Sequence, residues 1–122
     1  MEAIRTYERY LHITDNVEEI ASVLFNVGKT YDGIGDSIKA DGYYRRILNM
    51  ESLLMKSAKG NPHMKMFLIM IKHYMHMDKE AKEEFNILYE KHKADVDSMT
   101  WNRYREVLKV DRMCHYVVRR IQ

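Results

Sequence analysis

Apolar side chains in this chain return every three or four residues, in stretches closed by Asn, Asp, Gly or Pro, and they almost never alternate with a period of two. That spacing lines the apolar groups along one side of successive α-helices and leaves no segment with the in-and-out pattern of a half-buried strand. With five Gly and one Pro in 122 residues, and 46% apolar residues, the chain is too poor in turn residues for a β-sandwich and too apolar for disorder. The expectation is an all-α protein, one domain over residues 1–122 with a modest core.

Local signals divide the chain into about six helices. Ala3, Ile4, Tyr7, Tyr10 and Leu11 share a face of the first. Asn16 with Glu19 three residues later forms a capping-box pattern that starts a second, with Ile20, Val23, Leu24, Val27 and Tyr31 as its stripe and Gly33 and Gly35 at its end. Asp36 can cap a third, whose stripe runs through Ala40, Tyr43, Tyr44, Ile47, Leu48 and Leu54. Asn61-Pro62 opens a fourth, because Asn accepts an orphan N–H and Pro has none to lose at the first helical position. Its stripe is Met66, Phe67, Met70, Ile71 and Tyr74. Asp78 can cap the next, through Ala81, Phe85, Leu88 and Tyr89, and Asp97 or Ser98 opens a last segment holding Trp101, Tyr104, Leu108, Val117 and Ile121, with a break expected near Asp111.

One stretch adds long-range information. Leu24, Val27-Gly28 and Tyr31 are followed, across a Gly35-Asp36 turn, by Ala40, Tyr44 and Ile47. Small Gly28 and Ala40 suit a place where two helices touch, with Tyr31 and Tyr44 filling the gap beside them. This order resembles one complete tetratricopeptide repeat over residues 21–54, with Leu in place of Trp, Val in place of Leu, Ile for a small residue, and Ser52 where a closing Pro is common. Ala3 and Tyr7 repeat the Ala40/Tyr44 interval, as does the pair Ala81 and Phe85. Residues 1–15 therefore resemble half a repeat, and residues 62–94 a degenerate one with a shortened turn at Met77-Asp78. A C-terminal helix or helices occupy residues 97–121. The resemblance implies antiparallel helical hairpins stacked as a short array. On this reading Met1 stands where half a repeat is missing, so the chain is a fragment or docks on a partner that supplies the missing helix.

The phrase "SVLFNVGKTYDGIGD" is also similar to repeats in bacterial peptide-pheromone receptors of the Rap and related families. There, tetratricopeptide arrays bind short peptides or a response regulator, and an Asn two residues before the Gly contacts the peptide backbone; Asn26 holds that position. In the complete tetratricopeptide repeat that residues 21–54 resemble, the groove-facing positions of the first helix are Ser22, Phe25, Asn26, Lys29 and Asp32. Asn26 would donate and accept toward peptide amides, Lys29 would attract a carboxylate, and Phe25 would supply apolar contact.

Residues that carry chemistry are sparse. His73 and His76, three apart on one expected helix, lack further metal ligands of the right kind. Cys114 and His115 are adjacent, so a helix points them apart, and a lone thiol suits a reducing cytosol. Walker, Rossmann and nucleophile-elbow signatures are missing, and the carboxylate pairs Glu18/Glu19 and Glu83/Glu84 read as solvated faces. The sequence therefore predicts no enzyme, no catalytic residue, no cofactor and no metal.

A formal charge of +2 is too small a field to imply nucleic acid, although Arg103, Arg105, Lys109, Arg112, Arg119 and Arg120 interleave with aromatics near the C-terminus. The longest apolar run, residues 66–71, is far too short to span a bilayer, and no signal peptide begins the chain, which predicts a cytoplasmic protein with no membrane partner. The partner expected is a protein or peptide held in a groove. The alternative is a small helical regulator or inhibitor that acts through a whole face or self-associates through incomplete terminal repeats. The ten Met residues suit an adaptable core or face.

Overall fold

The computed structural model describes residues 2–13 and 15–109, with side chains from residues 4–10 and 15–109. Among these there are seven helices and no strand, the all-α array of helices that the periodicity predicts. Val117, Ile121, the expected break near Asp111, the Cys114-His115 pair, and Arg112, Arg119 and Arg120 lie outside the described residues. The chain divides between Lys59 and Gly60 into two compact units.

In the first unit, α1 (Glu2–Ile13), α2 (Val17–Gly33), α3 (Ser37–Asn49) and α4 (Glu51–Ser57) follow one another. α2 is the organising element, packing chiefly on α3 and also on α1 and α4. Asn16 caps α2 by accepting from Glu19 N at 3.0 Å, while the Glu19 carboxylate accepts from the Tyr10 hydroxyl at 2.8 Å and so ties α1 to α2. At the far end Gly35 takes φ +84, a left-handed turn that lets Asp36 N donate to Tyr31 O at 2.9 Å and closes the last carbonyls of α2. Asp36 then caps α3 through Lys39 N at 3.1 Å.

The third helix is not continuous to Leu54 as expected. It breaks at Met50, whose N–H bonds Ile47 O, three residues back, at 2.9 Å. The short α4 that follows buries Leu54 completely and docks on the start of α2, where Ser57 donates to Glu18 at 2.9 Å. A straight helix would carry that contact away from α2; the break lets the chain return.

The second unit contains α5 (Pro62–Tyr74), α6 (Asp78–His92) and α7 (Ser98–Lys109). Asn61 caps α5 by accepting from His63 N at 2.8 Å, with Pro62 at the first helical position. Asp97 caps α7 by accepting from Thr100 N at 2.7 Å. Its core joins Met66 and Ile69 of α5, Ala81, Phe85 and Leu88 of α6, Val96, and Trp101 of α7. Trp101 is the hub: Phe85, Tyr89 and Tyr104 all meet its ring edge-to-face, at 5.9, 5.2 and 5.9 Å between centroids. Each such pair adds about 0.5–1.5 kcal/mol beyond the area it buries.

Two expectations for this unit need correction. α5 has no single stripe, since Met66, Leu68, Ile69, Ile71, Lys72 and Tyr74 are buried on several sides of the helix while Phe67 and Met70 are only half-buried. Nor is Asp78 the cap of α6. Met77 occupies that position, without a side-chain hydrogen bond, and Asp78 Oδ1 meets His73 Nδ1 at 3.0 Å.

The two hairpins match in detail. The turn between α5 and α6 is not shortened: both turns comprise three residues, 34–36 and 75–77. Met77 N donates to Lys72 O at 2.9 Å as Asp36 N donates to Tyr31 O, and His76 takes a positive φ of 62 where Gly35 takes φ 84. Gly35 and His76, Ala40 and Ala81, Tyr44 and Phe85, and Ile47 and Leu88 are each 41 positions apart. That offset exceeds the tetratricopeptide period of about 34, and α4 with the turn after it lies in the additional length.

Candidate partner-binding face

The five residues assigned to a binding face all lie on α2, and the α2–α3 joint positions them. Gly28 makes the joint possible: a Cβ there would sit 2.6 Å from Tyr44 Cε1, so the fully buried Tyr44 ring lies directly on the glycine backbone. The Tyr44 hydroxyl donates to Asp32 Oδ2 at 2.7 Å. Asp32 is 5% exposed. It belongs beneath the face as a support of the joint, and the structure does not present it to a partner as the sequence reading placed it.

The other four residues remain together at the surface. Phe25 packs edge-on against Tyr44 with centroids 6.2 Å apart, and Lys29 Nζ lies 5.2 Å above the Phe25 ring. Ser22 and Asn26 are exposed, and the Asn26 carbonyl accepts from Thr30 Oγ1 at 2.8 Å. Ser22, Asn26 and Lys29 follow one another at four- and three-residue intervals along one side of α2. The combination is an aromatic edge held by a buried tyrosine, a side-chain amide able to donate and accept, a hydroxyl and a cation. Such groups can hold an extended backbone; none is a nucleophile paired with a base.

Tyr31 does not fill the Gly28 joint as expected. It stacks on Tyr43 at 5.6 Å with the rings 17° apart, beside Ile4, Val23 and Val27 and facing α1. Tyr43 in turn donates to Glu8 at 3.0 Å, and burial, then the hydrogen bond and charge of Glu8, push its hydroxyl above the ordinary tyrosine pKa.

In the second unit the matching positions carry opposite chemistry. Where Tyr31 and Tyr43 stack, Lys72 and Glu84 form an ion pair at 2.6 Å, and Lys65 also reaches Glu84 at 2.6 Å. Where Lys39 lies 5.4 Å over Tyr31, Glu80 approaches Lys72 at 3.4 Å. The Lys72 side chain is 6% exposed and that of Glu84 20%. Glu84 is therefore not the solvated carboxylate that its neighbour Glu83 is. Burial alone would raise its pKa, but hydrogen bonds and charge from Lys65 and Lys72 prevail and hold it below the ordinary glutamate value. The sequence reading missed this network; the equal offset of Tyr31/Tyr43 and Lys72/Glu84 was its available signal.

His73 and His76 do not share a helix face, because α5 ends at Tyr74 and His76 sits exposed in the turn. Among the described residues, no group of three or more His, Cys, Asp or Glu could hold a metal ion, and no helix is long and apolar enough to cross a membrane. Of the basic residues on α7, Arg105 stacks 4.7 Å from the Tyr89 ring and donates to Asn102 Oδ1 at 3.1 Å, while Arg103 and Lys109 face solvent. A scan against family models, a search of curated proteins and a search of solved structures each return no match for this chain.

Proposed function

We propose that this chain is a non-enzymatic, cytoplasmic protein- or peptide-binding module of tetratricopeptide type, whose α2 face receives an extended segment of a partner. The observation that carries this reading is the grouping of Ser22, Phe25, Asn26 and Lys29 on one side of α2, over a joint fixed by Gly28, Tyr44 and Asp32. A face of this kind is preorganised, because its supporting rotamers are held by packing and a buried hydrogen bond before any partner arrives. Asn26 would bond the partner's backbone, Phe25 would contact an apolar side chain, and Lys29 would favour acidic neighbours. Regulation by holding a partner, without turnover, is the corresponding role. Selection of extended peptides from a random displayed library on the full chain tests it: an enriched sequence class that Asn26→Ala no longer retains supports the reading, and no enrichment contradicts it.

A second reading, a helical regulator that covers a partner or a copy of itself with a whole face, draws support from the exposed Ile34 and Ile38. It differs in predicting a large stoichiometric interface indifferent to Asn26.

A further inference from the structure

Methionine recurs through this chain, and one of its ten stands apart from the rest. Met99, in the first turn of α7, is 64% exposed, whereas every other described methionine is buried or half-buried. Met66, by contrast, lies in the Trp101 core at 3%. Arg103, one turn further along α7 and itself exposed, donates from Nη2 to Met99 Sδ at 3.9 Å. Neither Met99 nor Arg103 belongs to the core that Trp101 organises.

A thioether sulfur is a weak hydrogen-bond acceptor but an oxidisable one. We propose that Met99 is a modification site for hydrogen peroxide, converted to the sulfoxide in the folded protein and held in that form by Arg103. A lone pair of Sδ attacks one peroxide oxygen: the S–O bond forms, the O–O bond breaks, and the departing hydroxide takes the proton left on the transferred oxygen and leaves as water. Sulfur gives up two electrons and the peroxide gains them. The new oxygen accepts where the sulfur did, so a weak contact becomes a charge-assisted hydrogen bond to the guanidinium. The geometry suits this product. A separation of 3.9 Å is long between nitrogen and sulfur, and the unbranched Met99 side chain can turn an oxygen carried on Sδ into reach of Nη2. Oxidation at Met66 would instead put a polar group into the apolar core. The methionine that peroxide reaches first is thus the one whose product the fold accommodates.

Titration of the full chain with hydrogen peroxide, each methionine being followed by mass spectrometry and the products by thermal unfolding, tests this. The sulfoxide at Met99 should form before that at any other described methionine. At that point of the titration the shift in melting temperature caused by oxidation should be about 1–3 °C more favourable in wild type than in Arg103→Leu, the size expected of one exposed pair four residues apart on a helix. Met99→Leu, treated alike, corrects for the other methionines. Oxidation of another described methionine as early as Met99, or equal shifts in wild type and Arg103→Leu, overturns the proposal.

Discussion

The Tyr44 ring occupies the space that a side chain on Gly28 would need, 2.6 Å from where its Cβ would be, and the Tyr44 hydroxyl is anchored on the Asp32 carboxylate at 2.7 Å. The ring is held at both ends, so it cannot swing away to admit a larger residue. Gly28→Leu should therefore lower unfolding stability by about 1–3 kcal/mol or more, as overpacking does. Tyr44→Phe keeps the ring and removes the donor, and should cost about 1–3 kcal/mol because a buried carboxylate loses a hydrogen bond. Urea denaturation of both variants checks the pair; unchanged midpoints would show that the joint is not where the hairpin is fixed.

The left-handed turns make opposite predictions for two positions that match in the hairpins. Gly35 tolerates φ +84 without strain, whereas His76 holds φ 62 against a steric preference. His76 is exposed, so His76→Gly should stabilise the protein by about 0.5–1 kcal/mol despite the greater flexibility of glycine in the unfolded chain, and Gly35→Ala should destabilise it by about 1 kcal/mol. Thermal unfolding followed by circular dichroism measures both, and a loss of stability in His76→Gly would contradict the assignment.

The Lys65–Glu84–Lys72 network predicts a pH dependence. Glu84 has its folded-state pKa below the ordinary glutamate value, so its contribution is fully present above that ordinary value and is lost as pH falls through the lower, folded one. Glu84→Gln should cost about 1–3 kcal/mol at neutral pH, where it leaves the nearly buried Lys72 short of a counter-charge, and should flatten the loss of stability on acidification below about pH 5. Chemical denaturation at stepped pH separates the two effects. Equal acid sensitivity in wild type and variant would remove Glu84 from the account.

Features set by near neighbours were legible in the sequence, and features set across helices were only partly so. Asn16, Asp36, Asn61 and Asp97 cap as expected because each accepts from a backbone N–H two or three residues away. The Gly28/Tyr44 joint was legible because few arrangements other than a close helix crossing call for a glycine and an aromatic at that spacing. The break at Met50 was not, since it answers to the Ser57–Glu18 contact and to the burial of Leu54, with no Gly or Pro at the site. Tyr31 and Asp32 both lie elsewhere than expected for a related reason. They are adjacent on α2, and only the positions of α1 and α3 decide that Tyr31 stacks on Tyr43 while Asp32 goes inside with Tyr44. Within the candidate face, the choice of Ser22, Phe25, Asn26 and Lys29 came from the resemblance to a tetratricopeptide repeat, and helical spacing keeps them together because residues on one side of one helix need no partner helix to define them.

The central claim is that this grouped face binds a partner. Asn26 is exposed and the bond it receives from Thr30 uses its backbone carbonyl, so Asn26→Ala should leave stability within about 0.5 kcal/mol of wild type. Isothermal titration of a peptide selected on the full chain, against wild type and Asn26→Ala, measures the claim directly. The account predicts an affinity at least about tenfold weaker for the variant with an unchanged unfolding midpoint. Equal affinities, at equal stability, would contradict it.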